Sequence, residues 1–271
     1  MARYVRAAGK NVQAKCSTIQ HRPLFILGNQ KSGTSAVCSL LARATGLSLS
    51  LDIRKDIPVP LYPKVKSGEI TMDQYVERNR LDFSRRIIKE PNFTLMHPEL
   101  RARFPQAKFA IVIRDPRSNI RSILNRLNLP GDLAQLPPET LAAMTPAWRA
   151  IMDNSWLGLG GANYIEMMAS RWNYMADVYL DQPNDIVLLR YEDFMKDKVA
   201  AVRDLANRLG LDALRDITRY VDVDFQPRGN RNADRNAFFG ANLQRIERLC
   251  VDRMTKLGYE CETAASAASA A

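Results

Sequence analysis

A polar turn bracketed by two glycines follows the apolar run Phe25–Leu27 near the start of the chain. Gly28 and Gly33 permit backbone conformations that a side chain obstructs, and the first turn of the following helix presents unpaired N–H groups to an anion. One cation and several polar groups stand within and after the turn: Asn29, Gln30, Lys31, Ser32, Thr34 and Ser35. These residue types in this order predict a cradle for a phosphate or a similar anion.

The lysine of this turn stands inside the loop. The nucleotide triphosphatase signature G-x-x-x-x-G-K-[ST] has the same glycine spacing, but its lysine follows the second glycine and reaches the outer phosphates of a triphosphate. Here Thr34 occupies that position, and Lys31 precedes Gly33. The arrangement favours metal-independent binding of a shorter anion, and no metal ligand is expected.

A second polar turn follows the apolar run Lys108–Ile113. It begins with Arg114, and Ser122 lies eight residues later on the helix that this turn starts. Strands that alternate with helices predict a three-layer α/β protein, with a central, mainly parallel sheet and helices on both faces. Ligands bind beyond the carboxyl ends of such strands, so we expect the two turns to meet.

Three further elements and one irregular region are predicted around these turns. Helical periodicity predicts a helix at Glu69–Ile88 with Thr71 as its N-cap and another at about residues 212–221, and Asp185–Leu189 is a further apolar strand. Residues 127–164 are interrupted by prolines and glycines and contain two tryptophans. This region is either a lid over a substrate or an ordinary surface excursion.

The chain has 271 residues, an ordinary globular composition and a net charge of +10. This length fits a single domain, expected at residues 22–262. A flexible basic arm is expected at 1–21, and a disordered, low-complexity tail at 263–271. The positive charge suits an anionic ligand, a nucleic acid or an acidic surface without deciding among them.

No apolar run reaches the length of a membrane span, and no apolar signal segment follows the basic N-terminus. We therefore expect a soluble, cytoplasmic protein. The four cysteines are scattered without metal-ligand spacing, which also favours a reducing compartment. They are Cys16, Cys38, Cys250 and Cys261.

The two turns together resemble the sulfotransferases that use 3′-phosphoadenosine 5′-phosphosulfate (PAPS), in particular bacterial and carbohydrate-type members. The matching segments are Pro23–Leu41 and Ile111–Ser122, with weaker matches at Leu189–Phe194 and at Arg228 and Gly229. Their order and spacing hold over nearly the whole chain. The resemblance implies a P-loop-like sulfotransferase fold, PAPS as the sulfuryl donor and adenosine 3′,5′-bisphosphate (PAP) as the product.

The resemblance also implies roles for the residues of the first two turns. In this family the lysine-containing loop binds the 5′-phosphosulfate, a role that falls here to Asn29–Ser35. Lys31 would also stabilise the negative charge that grows on the bridging oxygen as the S–O bond breaks. Arg114 and Ser122 match the pair that holds the 3′-phosphate, for which an arginine fork and a hydroxyl are suited.

Two later positions match weaker motifs of the same family. Tyr191 matches a tyrosine that contacts the nucleotide. Arg228 and Gly229 match a C-terminal basic loop that binds the 3′-phosphate. Here the chain departs from the pattern, because Pro227 stands where a second basic residue is usual, so Arg231 is a candidate for the extra charge.

The acceptor hydroxyl must lose its proton during transfer, so the site needs a general base. The family uses either a histidine or a carboxylate between the first turn and the arginine strand. Lys89-Glu90-Pro91 stands where the family places this residue, and it resembles the Lys-acid-Pro variant of bacterial members. We expect Glu90 as the base with Lys89 as an electrostatic partner, and His97 as the alternative base.

Two other classes of function share part of the pattern. A small-molecule kinase that uses ATP and Mg²⁺ needs an acidic metal ligand at a strand end, for which Asp115 and Glu192 are candidates. A nucleic-acid-binding protein would use the arginine-rich stretch Arg228–Arg235, but no aromatic residue is interleaved with it before Phe238. The sulfotransferase is the preferred interpretation.

The acceptor is expected to be a hydroxyl of a carbohydrate, a lipid-linked compound or another small molecule. Several basic residues lie between the first turn and the base segment. They would suit an acidic glycan, or they belong to an ordinary exposed loop. They are Arg54, Lys55, Lys64 and Lys66.

Overall fold

Five parallel strands form one sheet in the order β2-β3-β1-β4-β5. A computed structural model of the chain describes residues 17–223 and 234–261. The predicted tail and most of the predicted arm lie outside these residues. The strands are β1 (Leu24–Gly28), β2 (Leu49–Leu51), β3 (Ile87–Lys89), β4 (Lys108–Ile113) and β5 (Ile186–Arg190).

Helices connect these strands and cover the sheet, so the predicted α/β class is confirmed. None of the helices in the described part of the chain is long and apolar enough to cross a membrane. The helices are α1 (Thr34–Thr45), α2 (Tyr62–Lys66), α3 (Met72–Arg78), α4 (Arg80–Phe83), α5 (His97–Arg103), α6 (Pro116–Leu127), α7 (Pro138–Ala142), α8 (Pro146–Met152), α9 (Tyr164–Leu180), α10 (Tyr191–Lys196), α11 (Lys198–Arg208), α12 (Arg235–Phe239) and α13 (Asn242–Lys256).

Both faces of the sheet are buried, as the continuous apolar strands predict. Successive side chains of β1 point to opposite faces, so Phe25 and Leu27 join one core cluster, whereas Leu24 and Ile26 join the other. Helices α1 and α11 pack over the second cluster, and α9 and α13 pack over the first. Cys38 and Cys250 are buried free thiols, as expected for small apolar side chains, and Cys261 is buried too.

The sheet order determines where the functional loops lie. The chain leaves β1 toward β2 and β3 on one side, then returns to the other side of β1 for β4 and β5. A crevice opens beyond the carboxyl ends of the strands at such a reversal. The loop after β1 is therefore flanked by the loop after β3 and the loop after β4.

Two predicted helices are wrong. The segment Glu69–Ile88 contains α3 and α4 and then strand β3, because Ile87 and Ile88 are completely buried in the sheet. Tertiary packing here overrides the helical periodicity. Thr71 is the N-cap as predicted, in a capping box with Gln74.

The helix expected at about residues 212–221 is reduced to a single 3₁₀ turn, Thr218–Tyr220. Asp216 accepts hydrogen bonds from both the backbone N–H and the hydroxyl of Thr218. Side chains that bond to the nearby backbone in this way compete with helix formation.

Gly28→Ala should lower the free energy of unfolding by about 3 kcal/mol or more. Gly28 has a φ of 139°, and a Cβ there would lie 2.5 Å from the carbonyl oxygen of Val112 on the neighbouring strand. Denaturant unfolding measures the loss. Gly68→Ala is the matched control, because Gly68 has a φ of 78° with nothing within 4 Å of the added Cβ, so it should cost only about 1 kcal/mol. Equal losses for both variants would contradict the steric account.

Candidate active site

The loop between β1 and α1 turns sharply and carries an unusual backbone. Lys31 has a φ of 65°, a left-handed conformation that is uncommon for a residue with a side chain, and Gly33 before α1 has a φ of 91°. Strained positions of this kind concentrate at functional sites. The backbone N–H of Gly28 donates to the hydroxyl of Thr94 at 2.8 Å, which fixes the start of the loop.

Three of the residues predicted to bind the donor lie close together at this loop: Lys31 after β1, Arg114 after β4 and Tyr191 after β5. The Arg114 guanidinium donates to the backbone carbonyl of Lys31 at 3.0 Å and lies 4.6 Å from the centre of the Tyr191 ring. A Cβ on Gly33 would lie only 2.4 Å from the same ring. The absence of a side chain at Gly33 therefore allows the Tyr191 ring to pack directly against the loop.

A fully buried arginine supports the loop from the inside. Arg171 of α9 is 0% exposed, and its guanidinium donates to the side-chain oxygens of Asn29, Gln30, Asn92 and Asn154 at 2.6–3.2 Å. No carboxylate among the described residues accepts a hydrogen bond from it. Burial lowers the pKa of Arg171 to about 10, so the group is still charged at neutral pH.

Asn119 of α6 completes this inner support. Its side-chain amide donates to the backbone carbonyl of Gln30 at 2.7 Å and to the Ser32 hydroxyl at 3.0 Å, and it accepts from Asn29 at 2.9 Å. Of the predicted loop residues, Asn29 and Ser32 thus face inward. The others line the cavity above: Gln30, Lys31, Gly33, Thr34 and Ser35.

A cavity of about 750 Å³ lies beyond the carboxyl ends of the strands. Its wall near β4 and β5 is rich in positive charge. Burial lowers the pKa of Lys31, and the neighbouring charges of Arg126, Arg114 and Lys89 lower it further. A bound anion would offset this concentration of charge. Cavity-lining residues on this wall include Arg114, Ser118, Arg121, Ser122, Arg126, Lys198 and Arg235.

The base segment Lys89–Pro91 lies on the other side of the loop. Lys89 is the last residue of β3, Glu90 follows it as the N-cap of a 3₁₀ turn, and both residues line the cavity. Lys89 is only 3% exposed, and its ammonium is 2.5 Å from a carboxylate oxygen of Asp52, which offsets the buried charge.

Glu90 is a buried carboxyl with a pKa near neutrality. Burial raises its pKa to about 7, and the negative charge of Asp52 contributes, whereas Lys89 and backbone hydrogen bonds oppose the rise. Its oxygens accept from the backbone N–H of Ile53 at 3.0 Å and from the Asn92 side chain at 2.9 Å. Asn92 also accepts from Arg171, so the inner support extends to this carboxyl.

His97 lies far from this constellation. Its ring is 4.7 Å from the ring of Phe109 near the start of β4, and its Nε2 is 3.6 Å from a carboxylate oxygen of Asp185, just before β5. These contacts place His97 at the amino ends of the strands, opposite the cavity. The structure therefore does not bring it to the other predicted residues.

The acidic candidates of the kinase alternative have partners within the protein. Asp115 caps α6 by accepting from the backbone of Arg117 and Ser118, and it pairs with the Arg117 guanidinium at 2.6 Å. Glu192 accepts from the backbone N–H of Asp115 and from the hydroxyl of Tyr259. Both carboxylates therefore hold structural positions.

The remaining predicted residues fall outside the described part of the chain. Arg228, Gly229 and Arg231 lie between residues 223 and 234, so the C-terminal basic loop stays a prediction. The same applies to most of the arginine-rich stretch on which the nucleic-acid alternative depends.

The comparison with protein families decides the class of the protein. A model described as "Sulfotransferase family" matches residues 70–216, more than half of the chain. The chain belongs to the sulfotransferase family. The predicted enzyme class is thereby confirmed, and this sulfotransferase has the fold expected for it.

Solved sulfotransferases resemble it at low sequence identity. STF9 from Mycobacterium avium is 12% identical, with 95% of this chain and 82% of that chain covered and a TM-score of 0.53. Mouse SULT7A1, solved in complex with PAP, is 14% identical over 89% of this chain and 88% of its own, with a TM-score of 0.49. The Alicyclobacillus acidocaldarius enzyme is 21% identical over 84% and 95%, with a TM-score of 0.46. No curated protein sequence matches the chain significantly.

Sequence reasoning missed Arg171 in this sulfotransferase, and it missed two of the four amide partners, Asn92 and Asn154. One signal was available: Arg171 stands three residues after Met168 and four before Met175, in the buried stripe of α9. A charged residue at such a position needs buried partners. Which partners they are depends on the packing of α9 against loops that are distant in sequence.

Arg171→Met should lower the free energy of unfolding by about 2–4 kcal/mol, because four amide oxygens would lose a buried donor. Denaturant unfolding measures this change. Arg208→Met removes a guanidinium that bonds Leu188 and Asp204 on the exposed side of α11, and it should change stability by no more than about 0.5 kcal/mol. An Arg171→Met protein as stable as the unsubstituted protein would contradict the supporting role.

Proposed function

We propose that this sulfotransferase transfers the sulfuryl group of PAPS directly to a hydroxyl group of its acceptor and releases PAP. One observation carries the proposal. The basic wall around Lys31 and Arg114 and the buried carboxyl of Glu90 line the same cavity, on opposite sides of the β1 loop. The cytoplasm remains its predicted location, since Cys38, Cys250 and Cys261 are free thiols.

The donor fits this cavity through its two separated anionic ends. The phosphosulfate would bind the loop through Lys31, the hydroxyls of Thr34 and Ser35, and the N–H groups that begin α1. The 3′-phosphate would bind Arg114 and Ser122, with Arg228 and Gly229 as further candidates, and Tyr191 would contact the nucleotide. The match to the sulfotransferase family model supports a sulfuryl donor as the ligand of this cavity.

The residues of this chain supply charge stabilisation and a base. PAPS supplies an activated sulfuryl group: its S–O bond to the 5′-phosphate breaks as a new S–O bond to the acceptor oxygen forms. Lys31 stabilises the negative charge that develops on the phosphate oxygen. Glu90 accepts the acceptor's proton, for which a pKa near neutrality is suited, and Lys89 stabilises charge on the transferring group. His97 takes no part, because it lies at the other end of the sheet.

Sulfuryl transfer is tested by incubating the protein with isotope-labelled PAPS and a cell extract, then identifying the labelled product. We expect labelled acceptor to form and PAP to raise the melting temperature. A melting-temperature rise with ATP and Mg²⁺ but none with PAP would overturn the proposal in favour of a kinase.

The transfer rate should rise with pH through about 7 and level off above it, because Glu90 must be deprotonated to act as a base. Glu90→Gln should lower kcat by about 10²–10⁴-fold and remove this transition. Steady-state rates at saturating PAPS measure both effects. Glu69→Gln is the control, since Glu69 is an exposed partner of Lys64, and it should keep the full profile.

The pH dependence of the free energy of unfolding gives a second test of the Glu90 carboxyl. Because its pKa is raised on folding, the folded protein holds this proton more tightly than the unfolded chain. The contribution of Glu90 to stability is therefore present in full below the ordinary carboxyl pKa and is lost as pH rises to about 7. Glu90→Gln should remove this pH-dependent part. An unchanged pH dependence of both rate and stability in Glu90→Gln would contradict the assignment.

A further inference from the structure

The two sides of the cavity carry opposite charge. The loops after β4 and β5 supply its basic wall, whereas the segments after β2 and β3 supply Asp52, Asp56 and Glu90. The one cation among the described lining residues on this second side, Lys89, is paired with Asp52. In the proposed function the donor's anionic groups match the first side, which leaves the second side for the acceptor.

The walls of the second side are apolar and partly aromatic. Helix α8, from the region in which a lid was one of two expectations, contributes Trp148 and Ile151 to the lining, and Ile53 and Tyr62 also line the cavity. The Tyr62 hydroxyl donates to the backbone carbonyl of Ala147 in α8 at 3.4 Å. The Tyr62 ring is held by Trp156, with ring centres 5.4 Å apart. Such a surface gains free energy by burying hydrocarbon.

The apolar character continues to the protein surface. Ile57 lines the cavity and is 52% exposed, and Val59, two residues further along the chain, is 54% exposed. Exposed aliphatic side chains at the edge of a pocket often extend a binding site for an apolar ligand. An apolar acceptor would therefore meet hydrocarbon before it enters the cavity.

Asp56 gives this side a buried carboxylate oxygen that accepts no hydrogen bond from the described residues. It is 4% exposed, its Oδ2 accepts from the Tyr75 hydroxyl at 2.5 Å, and its Oδ1 has no hydrogen-bond partner among the described residues. A buried acceptor atom without a donor is costly, so a ligand that brings a donor is favoured. A hydroxyl or an ammonium group on the acceptor would supply one.

The basic residues expected to suit an acidic glycan are used elsewhere or lie apart from the cavity. Lys64 pairs with Glu69, Lys66 pairs with Glu99, and Lys55 donates to the backbone carbonyl of Arg78. None of these three lysines lines the cavity, and Arg54 does not line it either.

We propose that the acceptor is a hydrophobic alcohol or phenol without negative charge, bound between the α8 wall and Asp56, and not an acidic glycan. This inference deepens the proposed function and rests on it, because it takes the basic side of the cavity as the donor site. An acidic acceptor would place its charge beside the carboxyl groups of Asp56 and Glu90 in a partly desolvated space, because Lys89 already pairs with Asp52.

Binding of three matched probes tests the inference: a naphthol, the same naphthol with a carboxylate, and the same naphthol with an aminomethyl group. Calorimetry is done on the protein with and without saturating PAP. We expect the neutral and the cationic probe to bind at least about tenfold more tightly than the carboxylate. Tighter or equal binding of the carboxylate, or no binding of any probe, overturns the inference.

Two variants localise the effect. Asp56→Asn should reduce the discrimination against the carboxylate probe by about threefold or more, because it removes a repelling charge. Asp204→Asn makes the same change on the exposed face of α11 and should leave the ratio unchanged. Trp148→Ala should weaken the neutral probe, and it provides a second measurement if Asp56→Asn fails to fold. Unchanged affinities in both Asp56→Asn and Trp148→Ala contradict the placement.

Failure of the inference differs from failure of the proposed function. If PAP does not bind, the donor assignment is wrong, whatever the naphthols do. If PAP binds and the carboxylate probe or a polyuronate oligosaccharide binds best, the sulfotransferase assignment stands, and the acceptor class proposed here is wrong.

Discussion

One buried guanidinium connects the two parts of the site that must act together. Arg171 bonds Asn29 and Gln30 of the loop after β1, and it bonds Asn92, which in turn bonds Glu90. Its partners are neutral amides, so its charge adds to the positive field around the loop. The anion cradle and the buried carboxyl are thereby held by the same side chain, which fixes their relative position.

The order of the strands in the sheet gives the cavity two chemically different sides. Because β1 lies at the centre, the loops after β4 and β5 bring Arg114 and Tyr191 to one side of the cradle, and the segments after β2 and β3 bring Asp56 and Glu90 to the other. Cations collect where an anionic donor would lie, and carboxylates and aromatic rings collect where an acceptor would lie. The same cavity therefore suits a donor with two anionic ends and an acceptor that carries no anionic group.

Local sequence patterns predicted the site residues that lie in turns and at strand ends. The glycines at positions 28 and 33 and the arginine after β4 were recognisable because turn chemistry and strand ends leave a local signature. Strand β3 was missed because Ile87 and Ile88 continue the apolar spacing of the preceding helices. The distant position of His97 and the partners of Arg171 depend on packing between segments far apart in sequence, which periodicity does not record.

The affinities for PAP and for adenosine 5′-monophosphate, measured by calorimetry at one ionic strength, test the central claim most directly. The two ligands differ in the 3′-phosphate alone, so their ratio reports whether the cavity holds a second anionic end beside Arg114. The account predicts that PAP binds at least about a hundredfold more tightly, and that Arg114→Ala removes most of this difference. Equal affinities for the two nucleotides would contradict it.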